Sequence, residues 1–136
     1  MPPSADVDLG ALAKGHQFPP APLSLSPEWV AEYVAAVEDG AIAQVGGDLV
    51  PPMALAALAI RSLLEQSSLP SGTIHVAQEL TFLRAVRSGE CLSARASVAS
   101  RGERQGWLLM GIDLSVEDAG RSPVVAGRAT LTMPAA

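Results

Sequence analysis

The chain has 136 residues, 49% of them hydrophobic and 17% charged, with a net charge of −5. That is one domain of ordinary size, too apolar to be disordered and too acidic to grip nucleic acid through its overall charge. A single cysteine (Cys91) rules out an internal disulfide. The longest apolar run is about half a membrane span, and the start lacks a basic, then apolar, leader, so a reducing cytoplasmic setting away from membranes is expected.

Residues 1–13 read as an N-terminal tail and residues 14–136 as the domain. Gly15 to Pro22 is proline-rich and extended, and Leu23 and Leu25 alternate with serines as in a short strand. Ser26-Pro27-Glu28 then opens a helix, with Ser as N-cap, Pro in the first turn and an acid beside them. It runs to about Glu38, turns Trp29, Val30, Tyr33, Val34 and Val37 inward, and stops at Asp39-Gly40. A loop over 40–49 contains Gly46-Gly47-Asp48.

Pro51-Pro52 opens a second helix reaching about Gln66. Its Met-Ala-Leu-Ala-Ala-Leu-Ala-Ile stretch is apolar on every side, which predicts a helix buried all round and a sheet wrapped about it. Four strand-like segments follow, over 73–84, 90–101, 106–117 and 123–133. They are separated by Ser88-Gly89-Glu90, Arg101-Gly102-Glu103 and Asp118-Ala119-Gly120-Arg121. Such short connections imply antiparallel pairing, and the sum is an α+β domain.

That order of elements resembles the hotdog fold, an antiparallel sheet wrapped around a central apolar helix. Particular segments narrow the resemblance to the MaoC-like dehydratases and hydratases. Leu12 to Pro20 looks like that family's opening, Ser26 to Asp39 like the helix leading into its active-site loop, and Val50 to Leu55 like the start of its central helix. Ile74 to Glu90 is most similar of all, matching a strand and turn of the family's N-terminal, non-catalytic type of domain. Hotdog thioesterases are the near competitor. They follow a Gly-Gly pair with a carboxylate inside the central helix, whereas here Gly46-Gly47-Asp48 is followed by no acid until Glu65.

The resemblance also implies a chemistry. Active members resemble (R)-specific enoyl-CoA hydratases, whose Asp and His lie five residues apart in a Gly-Asp-x-Asn-Pro-x-His loop. A carboxylate and a neutral imidazole suit the activation of water and delivery of a proton to the alpha carbon. Carried over, the Asp falls on Asp39, while Glu38, Ala41, Ile42 and Gln44 replace the Gly, Asn, Pro and His. Gln44 hydrogen-bonds but has no useful pKa. The resemblance therefore implies Asp39 as the catalytic remnant, with Gln44, Asp48, Pro52 and Met53 lining the substrate site.

No placement of the loop recovers a histidine, since the chain has only His16 and His75. His75 reads as a strand histidine held by hydrogen bonds, and Cys91 as a small core or pocket residue. No clustered metal ligands or phosphate-binding glycine loop are present in the sequence, so neither metal nor cofactor is expected beyond a CoA or acyl-carrier-protein thioester as ligand. Arg84 with Arg87, and Arg101 with Arg104, read either as contacts to a CoA phosphate or as solvent-facing charges at strand ends. The expectation is a dimer in which this chain is the non-catalytic half beside a catalytic MaoC-like subunit. The alternatives are an active homodimeric hydratase or thioesterase with an altered site, and an acyl-CoA binding module.

Overall fold

Two prolines open the long helix, and two short turns fold the last three strands of the chain back on one another. The computed structural model describes residues 8–23, 28, 32 and 49–135. In chain order these form a 3-10 turn (Leu9–Ala11), β1 (Ala21–Leu23), α1 (Pro52–Glu65), β2 (Ile74–Phe82), β3 (Leu92–Arg104), β4 (Trp107–Glu117) and β5 (Pro123–Pro134). Glu28 and Glu32 have helical backbone and are exposed. The rest of the helix read over 27–38 lies outside the described residues, as does the loop over 40–48.

The strands make one antiparallel sheet in the order β1-β3-β4-β5-β2. The α+β architecture read from the sequence is the one observed, but the four long strands do not all pair in sequence order: β2 lies beside β5 and not beside β3, because the loop over 83–91 is long enough to cross to the other side of the sheet. Side chains alternate across β4, where Leu108, Met110, Ile112, Leu114 and Val116 are buried and Leu109 is half exposed. Their inward face meets α1, which lies chiefly against β1, β3 and β4. The first half of α1 packs through Ala54, Leu55 and Ala59 on Val50, Val86, Leu92, Val116 and Val125. Its second half packs through Leu63 on Leu9, Phe18, Met110, Leu131 and Met133.

Three local expectations differ from what is observed. First, α1 is not buried on every side. Ala54, Leu55, Ala56, Ala59, Ser62 and Leu63 are covered, while Met53, Ala57, Arg61 and Leu64 form an exposed stripe at helical spacing. An Ala-rich pattern cannot reveal this, because the small side chains look equally apolar on both faces. Second, the β3–β4 turn is not Arg101-Gly102-Glu103. β3 continues to Arg104, and the reversal is made by Gln105 (φ 53°) and Gly106 (φ 81°), the left-handed pair of a tight two-residue hairpin.

Third, residues 8–13, read as part of a tail, are held in place. Leu9 is wholly buried, its amide donates to the carbonyl of Ser68 at 2.9 Å, and Asp8 caps the turn through the amide of Gly10. Beyond it, residues 15–18 run beside β3, with Gly15 N–H bonded to Val98 O and Phe18 N–H to Ala96 O. Among the described residues, no helix is long and apolar enough to cross a membrane.

The two edges of the sheet differ. β1 has three residues, and its central Pro22 has no N–H to donate. β2 has nine residues, among the described residues pairs only with β5, and exposes Ile74 and Val76 by 54% and 56%.

Candidate functional site

The residues proposed for the site from the sequence divide sharply. Asp39, Gln44 and Asp48 lie outside the described residues. Pro52 and Met53 are the first two residues of α1, both exposed, with Met53 57% accessible. Pro51 serves as N-cap with no side-chain cap, which suits a helix start whose first N–H groups are left free or removed by proline. The Ala54 amide closes the first turn on Pro51 O at 2.9 Å.

What holds this helix start is a loop from elsewhere in the chain. Val50 N–H donates to Val86 O at 2.8 Å, and Leu49 bridges Arg87 in antiparallel fashion. The loop over 83–91 is itself clamped. The Arg84 guanidinium forks onto both oxygens of Glu90 (2.9 and 3.3 Å) and reaches Asp118 Oδ2 at 3.2 Å. Glu90 also accepts from Arg87 N–H, and Asp118 Oδ1 accepts from the amides of Gly120 and Ser122. The hydrogen bond from Arg84 is the main cause holding the Glu90 carboxyl below its ordinary pKa; for Asp118 it is the Ser122 amide. Arg84 is raised by the same two carboxylates. Its donors are thus spent on its own chain rather than held ready for a phosphate.

Because α1 leans toward β1, β3 and β4, a gap opens on its other flank, toward β5 and β2. There lies an apolar pocket of about 160 Å³. Its walls include Ile60, Leu63 and Leu64 of α1 and Leu131 of β5, with Thr73 and His75 at the start of β2. A cavity of roughly 150 Å³ accommodates a benzene-sized group, so this one holds a chain of about five or six carbons.

His75 reaches this pocket by a slip in the strand. It stands opposite Leu131, but Ala77 stands opposite Thr130, so Val76 is an extra residue bulging from β2. Simple alternation puts His75 on the same face as Ala77 and Glu79; the bulge turns it to the other face, beside inward-facing Leu131. The expectation that hydrogen bonds hold His75 is not met. It is exposed, and its imidazole makes no hydrogen bond with any described residue. No sequence pattern marks the pocket, whose walls come from three distant segments and one bulge.

The remaining candidates are accounted for locally. Cys91 is exposed rather than in the core, because it precedes β3 and the inward position falls to Leu92. His16 packs edge-on against Phe18 at 5.0 Å, beside β3. Arg101 donates to Gly10 O at 2.9 Å, tying the N-terminal turn to the β3 end. On the outer sheet face, Arg95 pairs with Glu117 and Arg128 with Asp113, each at 2.8 Å. Among the described residues, no group of three or more His, Cys, Asp or Glu side chains is placed to hold a metal.

No family model matches the sequence, and no curated protein does. Solved structures match the fold over nearly the whole chain. R-hydratase PhaJ1 from Pseudomonas aeruginosa superposes with a TM-score of 0.77 at 20% identity, over 96% of this chain and 88% of that one. The MaoC-like dehydratase from Rhodospirillum rubrum gives 0.76 at 19%, over 96% and 98%. The ChsH1-ChsH2 complex from Mycobacterium tuberculosis gives 0.68 at 15%, over 89% and 98%. The chain's structural neighbours are (R)-hydratases and MaoC-like dehydratases, and its fold is theirs, a single hotdog domain.

Proposed function

We propose that this chain is the non-catalytic partner in a hotdog hydratase or dehydratase acting on acyl thioesters, and that it contributes an acyl-binding pocket and a docking edge. The pocket beneath α1 carries the reading: it is apolar, takes a chain of about five or six carbons, and lies about two to three helical turns beyond Pro52 and Met53. The sequence supports the non-catalytic part, since Asp39 has Gln44 where its partner histidine would stand and the only imidazoles are His16 and His75. Loss of one of two cooperating groups removes most of a catalysed rate.

The open edge of β2 supports a partner. An exposed nine-residue edge with apolar side chains invites another strand, whereas Pro22 discourages pairing at β1. Two solved neighbours are assemblies of more than one kind of chain: the ChsH1-ChsH2 complex, and the HadBC (3R)-hydroxyacyl-ACP dehydratase complex of the same organism.

The test is titration of the purified chain with trans-2-decenoyl-CoA, whose chain is long enough to reach the pocket, following binding by calorimetry and hydration by loss of the conjugated-thioester absorbance. Binding without hydration is the expected result. Hydration abolished by Asp39→Asn would make the chain an enzyme in its own right. Absence of binding would remove the acyl-site reading.

A further inference from the structure

Two side chains distinguish the pocket beneath α1 from a plain hydrocarbon sleeve. Among its aliphatic walls stand the imidazole of His75 and the hydroxyl of Thr73. Thr73 Oγ1 already donates to Pro70 O, which leaves its lone pairs to accept. The neutral imidazole offers one donor and one acceptor, and no described residue uses either. In the open pocket, water satisfies both.

A saturated chain filling this space displaces the water on the pocket side of the imidazole and offers nothing in return, and a polar group left unpaired against an apolar surface is unfavourable. A chain carrying a hydroxyl or carbonyl restores the bond. Ile60 stands seven residues beyond Met53, about 10 Å along the helix, so His75 meets the far part of a chain whose thioester lies at the helix start. The bulge at Val76, which turns His75 inward, is the kind of irregularity that re-aims a side chain.

We propose that the pocket selects acyl chains bearing a hydrogen-bonding group, a hydroxyl or carbonyl, on their distal carbons, and that His75 is the residue that selects them. This rests on the acyl-binding reading above for its thioester part; the pocket's preference is tested separately from it.

Decanoyl-CoA and 10-hydroxydecanoyl-CoA, long enough to span that distance, are titrated into the wild-type chain, His75→Leu and His75→Gln by calorimetry. Cyclohexane and cyclohexanol are titrated in parallel, followed by the methyl resonances of Ile60 and Leu131. In both pairs, the preference for the hydroxylated probe is expected to be about tenfold greater in the wild type than in His75→Leu, or about 1.4 kcal/mol. His75→Gln, which keeps a donor and an acceptor, is expected to retain part of it. An unchanged ratio in His75→Leu, or methyl resonances that move with none of the probes, would overturn the proposal. If neither thioester binds but the cyclohexane pair shows the His75 effect, the acyl-thioester reading falls and the selectivity stands. If both thioesters bind without regard to His75, the outcome is reversed.

Discussion

Val50 and Val86, 36 positions apart in the chain, are joined by a backbone hydrogen bond of 2.8 Å, and both side chains are buried in the same cluster. The entry to α1 is therefore set by the loop between β2 and β3, and that loop is set by Arg84. Arg84→Ala is expected to lower hydrogen-exchange protection of the Val50 amide about tenfold while amides of Met110 and Ile112 keep theirs, because local openings depend on local contacts. Uniform loss across the sheet would make Arg84 a general stabiliser and nothing more specific.

The same clamp carries a pH dependence. Glu90 and Asp118 have carboxyls held below their ordinary pKa, so the folded state binds their protons less readily than the unfolded chain does. Their contribution is fully present above the ordinary carboxylate range and is lost as the pH falls through the lowered values. Urea melts at stepped pH should show stability falling on the acid side, and the slope should be shallower in Glu90→Gln. An unchanged slope would mean that the exposed ion pairs contribute nothing measurable.

Gly127 lies in β5 between Leu114 of β4 and Leu80 of β2. A Cβ built there would run into the backbone carbonyl oxygen of Glu79 and crowd Leu80 Cδ2 at 2.9 Å. Backbone cannot swing aside as a side-chain tip does. Gly127→Ala is expected to destabilise the domain by about 2–3 kcal/mol, read from the midpoint of urea unfolding.

Neighbouring residues of β4 provide an internal control on the core. Met110 is wholly buried, whereas Leu109 is 53% exposed on the outer face. Met110→Ala should cost about 2–5 kcal/mol, and Leu109→Ala well under half as much. Equal losses would mean that the outer face is also packed in solution.

Val76→Lys places a charge on the open edge of β2 at an exposed position. Sedimentation velocity should show any assembly of the wild-type chain, alone or with a partner, dissociating in the variant, while the melting temperature of the separated chain changes little. Persistence of the assembly would move the docking surface elsewhere.

The sheet and α1 were legible because their signals are local. Alternation in 92–98 and 107–114 marks β3 and β4, and Pro51-Pro52 marks the start of α1. What could not be read depended on partners distant in sequence. Which alanines of α1 face the sheet follows from the lean of the helix, and the inward turn of His75 follows from one bulged residue that inverts the parity of β2. That no histidine lies between His16 and His75 was visible in the sequence. The pocket was not, because Ile60, His75 and Leu131 converge only after β2 has crossed to lie beside β5.

Pro22 has a consequence for how far assembly proceeds. A sheet open at both margins adds neighbours indefinitely and grows into a fibre; one open at a single margin is saturated by its first neighbour. With three residues and a proline at one margin and nine extended residues at the other, the described sheet leaves one margin suited to pairing. Raising its concentration should fill pairs and then stop, and replacing Pro22 is the single change that would begin to lift that limit.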